Sequence, residues 1–159
     1  MNIIFLDIDG VLNCQIYYQS DAFSKKDEHP YNQICKERVK WLNKLCEDTN
    51  SKIVISSTWR MSGIDYCKNV LSQCGATFDI IGATPIDPSR VRGVEIKKWI
   101  ETEKCNFPIW GVKNYAIIDD DSDMLLEQRH NFFHTDNYSG LTPNTCYKIT
   151  RFFNGDDLF

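Results

Sequence analysis

The sequence predicts an α/β fold, an open parallel sheet forming one domain over residues 1–159. Three observations predict it. The runs Ile3–Leu6, Lys52–Ile55, Phe78–Ile81, Tyr115–Ile118 and Phe132–Thr135 are short, largely apolar and rich in β-branched or aromatic residues, as strands buried on both faces are. Apolar stripes at helical spacing separate most of them, as parallel crossovers require. Acids and hydroxyls gather just past several strand ends, where ligands bind in open α/β sheets.

The first run leads into Asp7-Ile8-Asp9-Gly10. Asp7 stands where the strand should end, and Gly10 lets the backbone turn away. Two carboxylates this close repel, so one pKa rises unless a cation lies between them. Such a pair suits a nucleophile beside a general acid/base; by itself it is equally an Asp-Gly turn. Residues Cys14 to Tyr31 are polar and aromatic without a period, which predicts a loop or flap. Ile34, Cys35, Arg38, Val39, Leu42, Leu45 and Cys46 then form a helical stripe that should stop near Asn50, with Trp41 expected in the core.

The second strand ends in Ser56-Ser57-Thr58-Trp59-Arg60, which taken alone reads as a turn into a helix capped by Ser62. That helix carries Ile64, Cys67, Val70, Leu71 and Cys74, with Gly75 as its C-terminal cap. Gly82 and Pro85 are expected to close the third strand, and residues 84–91 form a loop. Arg92-Gly93-Val94-Glu95-Ile96 opens a helix whose inner face is Ile96, Trp99 and Ile100. The fourth strand runs into Asp119-Asp120-Asp121-Ser122-Asp123, and so many acids together form a cation site or a solvated turn. Leu125 and Leu126 begin a short helix. Thr142-Pro143 supplies the cap and first position of a last helix ending near Asn154-Gly155. His130 and His134 are four apart, but a strand starts between them, which argues against a shared metal.

A chain of 159 residues can bury roughly 70% of its unfolded surface. Hydrophobic residues at 42% and charged residues at 25% place it among ordinary globular proteins. A net charge of -4 offers no bulk attraction to nucleic acid or acidic membranes, although a local basic patch is compatible with it. The seven cysteines, at 14, 35, 46, 67, 74, 105 and 146, are odd in number and contain no C-x-x-C pair. They predict reduced, buried thiols and a cytoplasmic location rather than zinc or disulfides. No charged leader opens the sequence and no apolar run reaches membrane-spanning length, so no membrane association is expected.

Taken together, the strand-terminal motifs resemble those of the haloacid dehalogenase (HAD) superfamily, in which a strand ends Asp-x-Asp-Gly. The wording Phe-Leu-Asp-Ile-Asp-Gly-Val-Leu-Asn, Ser-Ser-Thr-Trp-Arg, Arg-Gly-Val-Glu-Ile and Asp-Asp-Asp, closed by Gly140-Leu141-Thr142, is similar to one small group. These are the HAD domains of Swiss-Army-knife RNA repair proteins. The resemblance covers essentially the whole chain and implies a Rossmann-like doubly wound parallel sheet with five core strands in the order 5-4-1-2-3, helices on both faces and no cap domain. In one respect the sequence departs from the superfamily: many members carry a lysine where Arg92 stands. Arginine keeps the charge and grips phosphate bidentately, but its planar fork is not an ammonium. Lys97, one turn later, is the alternative.

The resemblance implies phosphate monoester hydrolysis through an aspartyl-phosphate. Asp7 would be the nucleophile and Asp9 the general acid and base, with Arg92 neutralising the phosphate. Ser57 or Ser56 would hold a phosphoryl oxygen by its hydroxyl. Magnesium would take Asp7, the Asp9 carbonyl and Asp119 or Asp120, with Asp123 holding a water or the loop. Neither gap between motifs has room for a cap domain, so the site should be open to a chain end or protein loop, with Trp59 and Arg60 placed to stack on or grip it. A polynucleotide 3′-phosphate is the expected substrate. Phosphoproteins, nucleotides and a catalytically silent binding role are the alternatives; a receiver domain fits less well, because its acids lie on different strands.

Overall fold

The computed structural model describes residues 1–106 and 114–155. Its core is a five-stranded, all-parallel sheet: β1 (Asn2–Leu6), β2 (Ser51–Ile55), β3 (Ile80–Ala83), β4 (Asn114–Asp119) and β5 (Phe132–His134). The spatial order is β3-β2-β1-β4-β5, the expected 5-4-1-2-3 read from the other edge. β1 is central, with Leu6 level with Ile55 on one side and Ile118 on the other. The connections from β1 run to one edge and those from β4 to the other, so the order reverses between these two strands. That is where α/β sheets open a crevice.

Strand side chains alternate between faces, and the apolar residues sort accordingly. Ile4, Leu6, Ile53, Ile55, Ala116 and Ile118 share one buried cluster with α2 (Lys36–Thr49), α3 (Ile64–Gln73) and α5 (Pro143–Phe153). Ile3, Phe5, Val54 and Ile117 face the other way, against Ile96 and Trp99 of α4 (Arg92–Asn106). Phe5 meets Trp99 edge-on at 5.4 Å between ring centroids, a favoured aromatic geometry. Helices therefore cover both faces.

Several boundaries differ from the sequence expectations. β3 begins two residues late and includes Gly82, which does not close the strand. A Cβ there would lie 3.1 Å from Trp99 Nε1, so Gly82 is the seat on which Trp99 packs. Residues 14–31 are not all loop: α1 (Gln15–Gln19) forms within them and buries Tyr17 against Phe23. Five helical residues are too few to show a period. α3 is capped by Gly63 rather than Ser62, and the preceding residues Thr58–Ser62 form a 3₁₀ turn. Trp41 is half-buried beneath the Arg38 guanidinium, 5.7 Å from its ring centroid, rather than enclosed. Thr142 caps α5 as expected, accepting from the Thr145 amide. Cys14, Cys35, Cys46, Cys67 and Cys74 are buried free thiols and Cys146 is half-buried; Cys105 lies outside the described side chains. No helix among the described residues is long and apolar enough to cross a membrane.

Candidate active site

The carboxyl ends of β1 and β4 carry the chemistry. Asp7 follows β1 directly, and its amide still donates to the Ile118 carbonyl at 3.0 Å, so it is fixed by the ladder beside β4. Asp119 is the last residue of β4 and is fully buried. Asp120 follows it. The carboxylate oxygens of Asp7, Asp119 and Asp120 lie within 4.8 Å of one another. Both acids left open by the sequence thus reach the cluster.

Arg92 closes the group from the start of α4, with Nη2 3.8 Å from Asp7 Oδ1 and Nε 3.4 Å from Asp119 Oδ2. Gly93 makes this approach possible. A Cβ on it would lie 2.5 Å from both the Leu125 amide nitrogen and Gln128 Oε1, so only glycine lets the helix start abut the loop after β4. Gln128 stitches the two together, donating to the Gly93 carbonyl at 2.8 Å and accepting from the Leu125 amide at 2.9 Å. Asp123 completes the junction by accepting from the Arg92 amide at 2.8 Å. It is not one of the three grouped carboxylates.

Burial raises the pKa of Asp7 to about 6, against the lowering effects of Arg92 and of a hydrogen bond from Ser57. Burial, with repulsion from Asp7, raises Asp119 to about 7. Asp120 is raised by burial and by its neighbour Asp121. Three carboxyls packed together without enough positive charge are under electrostatic stress.

The hydroxyl of Ser57 faces Asp7, whereas Ser56 Oγ is buried without a partner among the described residues. Both lie at the tip of β2, where the Ser56 amide donates to the Leu6 carbonyl at 2.9 Å.

Two expected substrate-binding cations are elsewhere. The Arg60 side chain is buried and turned inward. Its guanidinium donates to the carbonyls of Ser56, Ser57 and Thr84 and pairs with Glu95 at 2.6 Å. With its donors committed to backbone and Glu95, it shapes the Ser56-Ser57 turn from beneath. Lys97 points away from the acids, half-exposed, and pairs with Glu127 at 3.0 Å. Helical phase explains this: five residues after Arg92, a side chain lies well over a turn further on and on another face.

Asp9 is exposed, and both its oxygens are engaged. Oδ1 accepts from Asn13 Nδ2 at 2.7 Å and Oδ2 from Trp59 Nε1 at 3.0 Å. Sequence reasoning missed Asn13, although an Asn four residues after an Asp in a Gly-containing turn is a recognisable side-chain capping pattern. It also missed Gln128 and Glu95, which carry no local signal. His134 donates from Nε2 to the Asp120 carbonyl at 2.8 Å and so steadies the acidic loop.

Oxygen donors alone make a site for a hard divalent cation. The donor set present fits magnesium, because Asp119 Oδ2 is buried with no hydrogen-bond partner among the described residues and three carboxylates converge. No curated protein and no solved structure matches the chain. A family model described as the HAD domain in Swiss Army Knife RNA repair proteins matches residues 3–146, a span holding every strand-end motif of the site. The chain belongs to that family of HAD domains.

Proposed function

We propose that the protein is a magnesium-dependent phosphate monoester hydrolase working through an aspartyl-phosphate on Asp7. The observation that carries this reading is a pair of buried, unsatisfied atoms at one site. Among the described residues Arg92 Nη1 has no hydrogen-bond acceptor, and Asp119 Oδ2, within ion-pair reach of Arg92 Nε, accepts no hydrogen bond. A buried polar group left unpaired costs about 1–3 kcal/mol, more if charged. One group asks for an anion and the other for a cation. A phosphoryl group with a divalent ion supplies both.

The roles follow from position. Asp7, at the end of β1 beside Arg92, attacks phosphorus, and the bond to the ester oxygen breaks. Asp9 gives its proton to that leaving oxygen. In the second half-reaction Asp9 takes a proton from water as the water oxygen bonds to phosphorus and Asp7 is released. Ser57 and Arg92 hold the phosphoryl oxygens. Magnesium held by Asp7, Asp119, Asp120 and the Asp9 carbonyl would neutralise charge on the phosphoryl group.

Access and family bear on the substrate class. Between β1 and α2 stand only α1 and a 3₁₀ turn, Pro30–Gln33; between β2 and α4 stand a 3₁₀ turn, α3 and β3. Neither is a cap domain. An open site in a family named for RNA repair supports a polynucleotide 3′-phosphate as the substrate.

The test is phosphate release with magnesium from a 3′-phosphorylated oligonucleotide. Asp7→Asn should abolish it, and chelator should do so reversibly. Turnover by Asp7→Asn would exclude the covalent route.

A further inference from the structure

A general acid must keep its proton aimed at one oxygen, yet Asp9 stands on an exposed turn where a carboxylate would rotate freely. Two donors prevent that. Trp59 Nε1 reaches Oδ2 at 3.0 Å and Asn13 Nδ2 reaches Oδ1 at 2.7 Å. Both donors are themselves held. Asn13 Oδ1 accepts from the Gly10 amide at 2.9 Å, which sets which end of its amide faces Asp9. The Trp59 amide donates to Ser57 Oγ at 3.3 Å, and its ring packs on the core beside Tyr66, 6.2 Å between centroids. The indole is thus a rigid arm from the tip of β2 to the turn after β1. An indole N–H only donates and a side-chain amide N–H does not titrate, so neither group competes for the proton.

We propose that Trp59 and Asn13 are positioning residues that fix the Asp9 carboxyl group, and that this clamp is what permits turnover of esters with alkoxide leaving groups. The proposal rests on the reading of Asp9 as the proton donor. When the phosphorus–oxygen bond breaks, its electron pair stays on the leaving oxygen. An alkoxide must take the Asp9 proton as it departs, whereas a nitrophenolate departs without one. Loosening Asp9 therefore penalises the first half-reaction of the first kind of ester selectively, whereas its role toward water in the second half-reaction is the same for both. A sugar hydroxyl at a polynucleotide end is of that kind.

The experiment replaces the indole of Trp59 by its benzothiophene isostere, which keeps the ring and removes the N–H, with Trp59→Phe as the encoded counterpart. The quantity measured is kcat/KM, which reads only the steps up to departure of the leaving group, on 4-nitrophenyl phosphate and on a 3′-phosphorylated nucleotide, with the melting temperature alongside. General acid–base catalysis contributes about 10²–10⁴-fold, and misaiming the acid should forfeit about tenfold or more of it on the nucleotide. The aryl ester and the melting temperature should hardly move. An equal loss on both esters marks a structural role and overturns the proposal, as does no loss on either. Asp9→Asn supplies the second measurement. It should shift the indole proton resonance assigned to Trp59, and an unmoved resonance overturns the contact itself. Failure of the parent reading looks different: the unaltered protein would hydrolyse neither ester, which overturns both.

Discussion

Gly10 and Asp120 occupy adjoining space that only glycine leaves open. A Cβ on Gly10 would fall 2.2 Å from both Cγ and Oδ2 of Asp120, and the Gly10 backbone has φ +69°. The turn that follows Asp9 is therefore shaped around an acid from a different strand. Thr135 locks the same turn, its hydroxyl donating to the Gly10 carbonyl at 3.1 Å.

Gly10→Ala should accordingly do two things. The left-handed backbone costs about 1–2 kcal/mol for a residue with a Cβ. Asp120 must also swing out of the acidic cluster, so magnesium should raise the melting temperature far less than in the unaltered protein. Thermal melts with and without the ion measure both, and an undiminished magnesium shift would remove Asp120 from the ligand set.

Asp119→Asn should have opposite effects with and without the cation. In chelator it removes a buried carboxyl whose ionisation is disfavoured by burial and by Asp7, so the fold should gain at least about 1 kcal/mol at pH 8. With magnesium the stabilisation that a native-state ligand confers should vanish. Asn keeps the acceptor for the Asp121 amide, 2.9 Å from Asp119 Oδ1. A variant that is less stable in chelator and still responds to magnesium would place the cation elsewhere.

Stability should depend on pH through the same pair. Asp7 and Asp119 titrate at about 6 and about 7 in the folded chain, above the ordinary value of 3.8. The folded state then binds more protons than the unfolded state between these values, so stability falls as pH rises. The pair's contribution is present in full below about pH 4 and is lost as pH rises through about 6 to 7. Magnesium competes with those protons, so its stabilising effect should grow over the same window. Melts at about pH 5.5 and about pH 7.5, with chelator or magnesium, test the sign; a magnesium effect larger at the lower pH would contradict it.

Glu95→Ala should unfold the protein far more readily than a surface change would. It strands the buried Arg60 guanidinium, whose side chain is only 6% exposed, and frees the Asp87 amide that donates to Glu95 Oε1 at 3.0 Å. Removing one partner of a buried pair costs about 3–5 kcal/mol. Denaturant melts give the value. Glu95→Gln should lose less, because it keeps an acceptor, and equal stability of the parent and the alanine variant would demote the pair.

On substrate size, kcat/KM should be higher for a 3′-phosphorylated oligonucleotide than for a mononucleotide 3′-phosphate, and the difference should shrink at higher salt. An open site obtains water exclusion from the substrate itself. Equal values would refute the polynucleotide reading, and a better phosphopeptide would move the activity to proteins.

Local pattern alone determined the strand ends and what they carry. Apolar runs followed by acids or hydroxyls placed Asp7, Asp9, Ser56, Ser57, Asp119 and Asp120 at the carboxyl edge of a parallel sheet, because strand burial and chain direction are both readable from adjacent residues. The Thr142-Pro143 cap was legible for the same reason. Tertiary structure decided the rest. Whether Arg92 or Lys97 meets the acids depends on the pitch of α4 and on the contact between Gly93 and the loop at Leu125 and Gln128. Arg60 left the site because Glu95, 35 positions away in sequence, gave its charge a buried partner. Trp59 reached Asp9, 50 positions earlier, because β1 and β2 are neighbours. Pairings between distant segments have no period and no local signature, and packing alone brings them together.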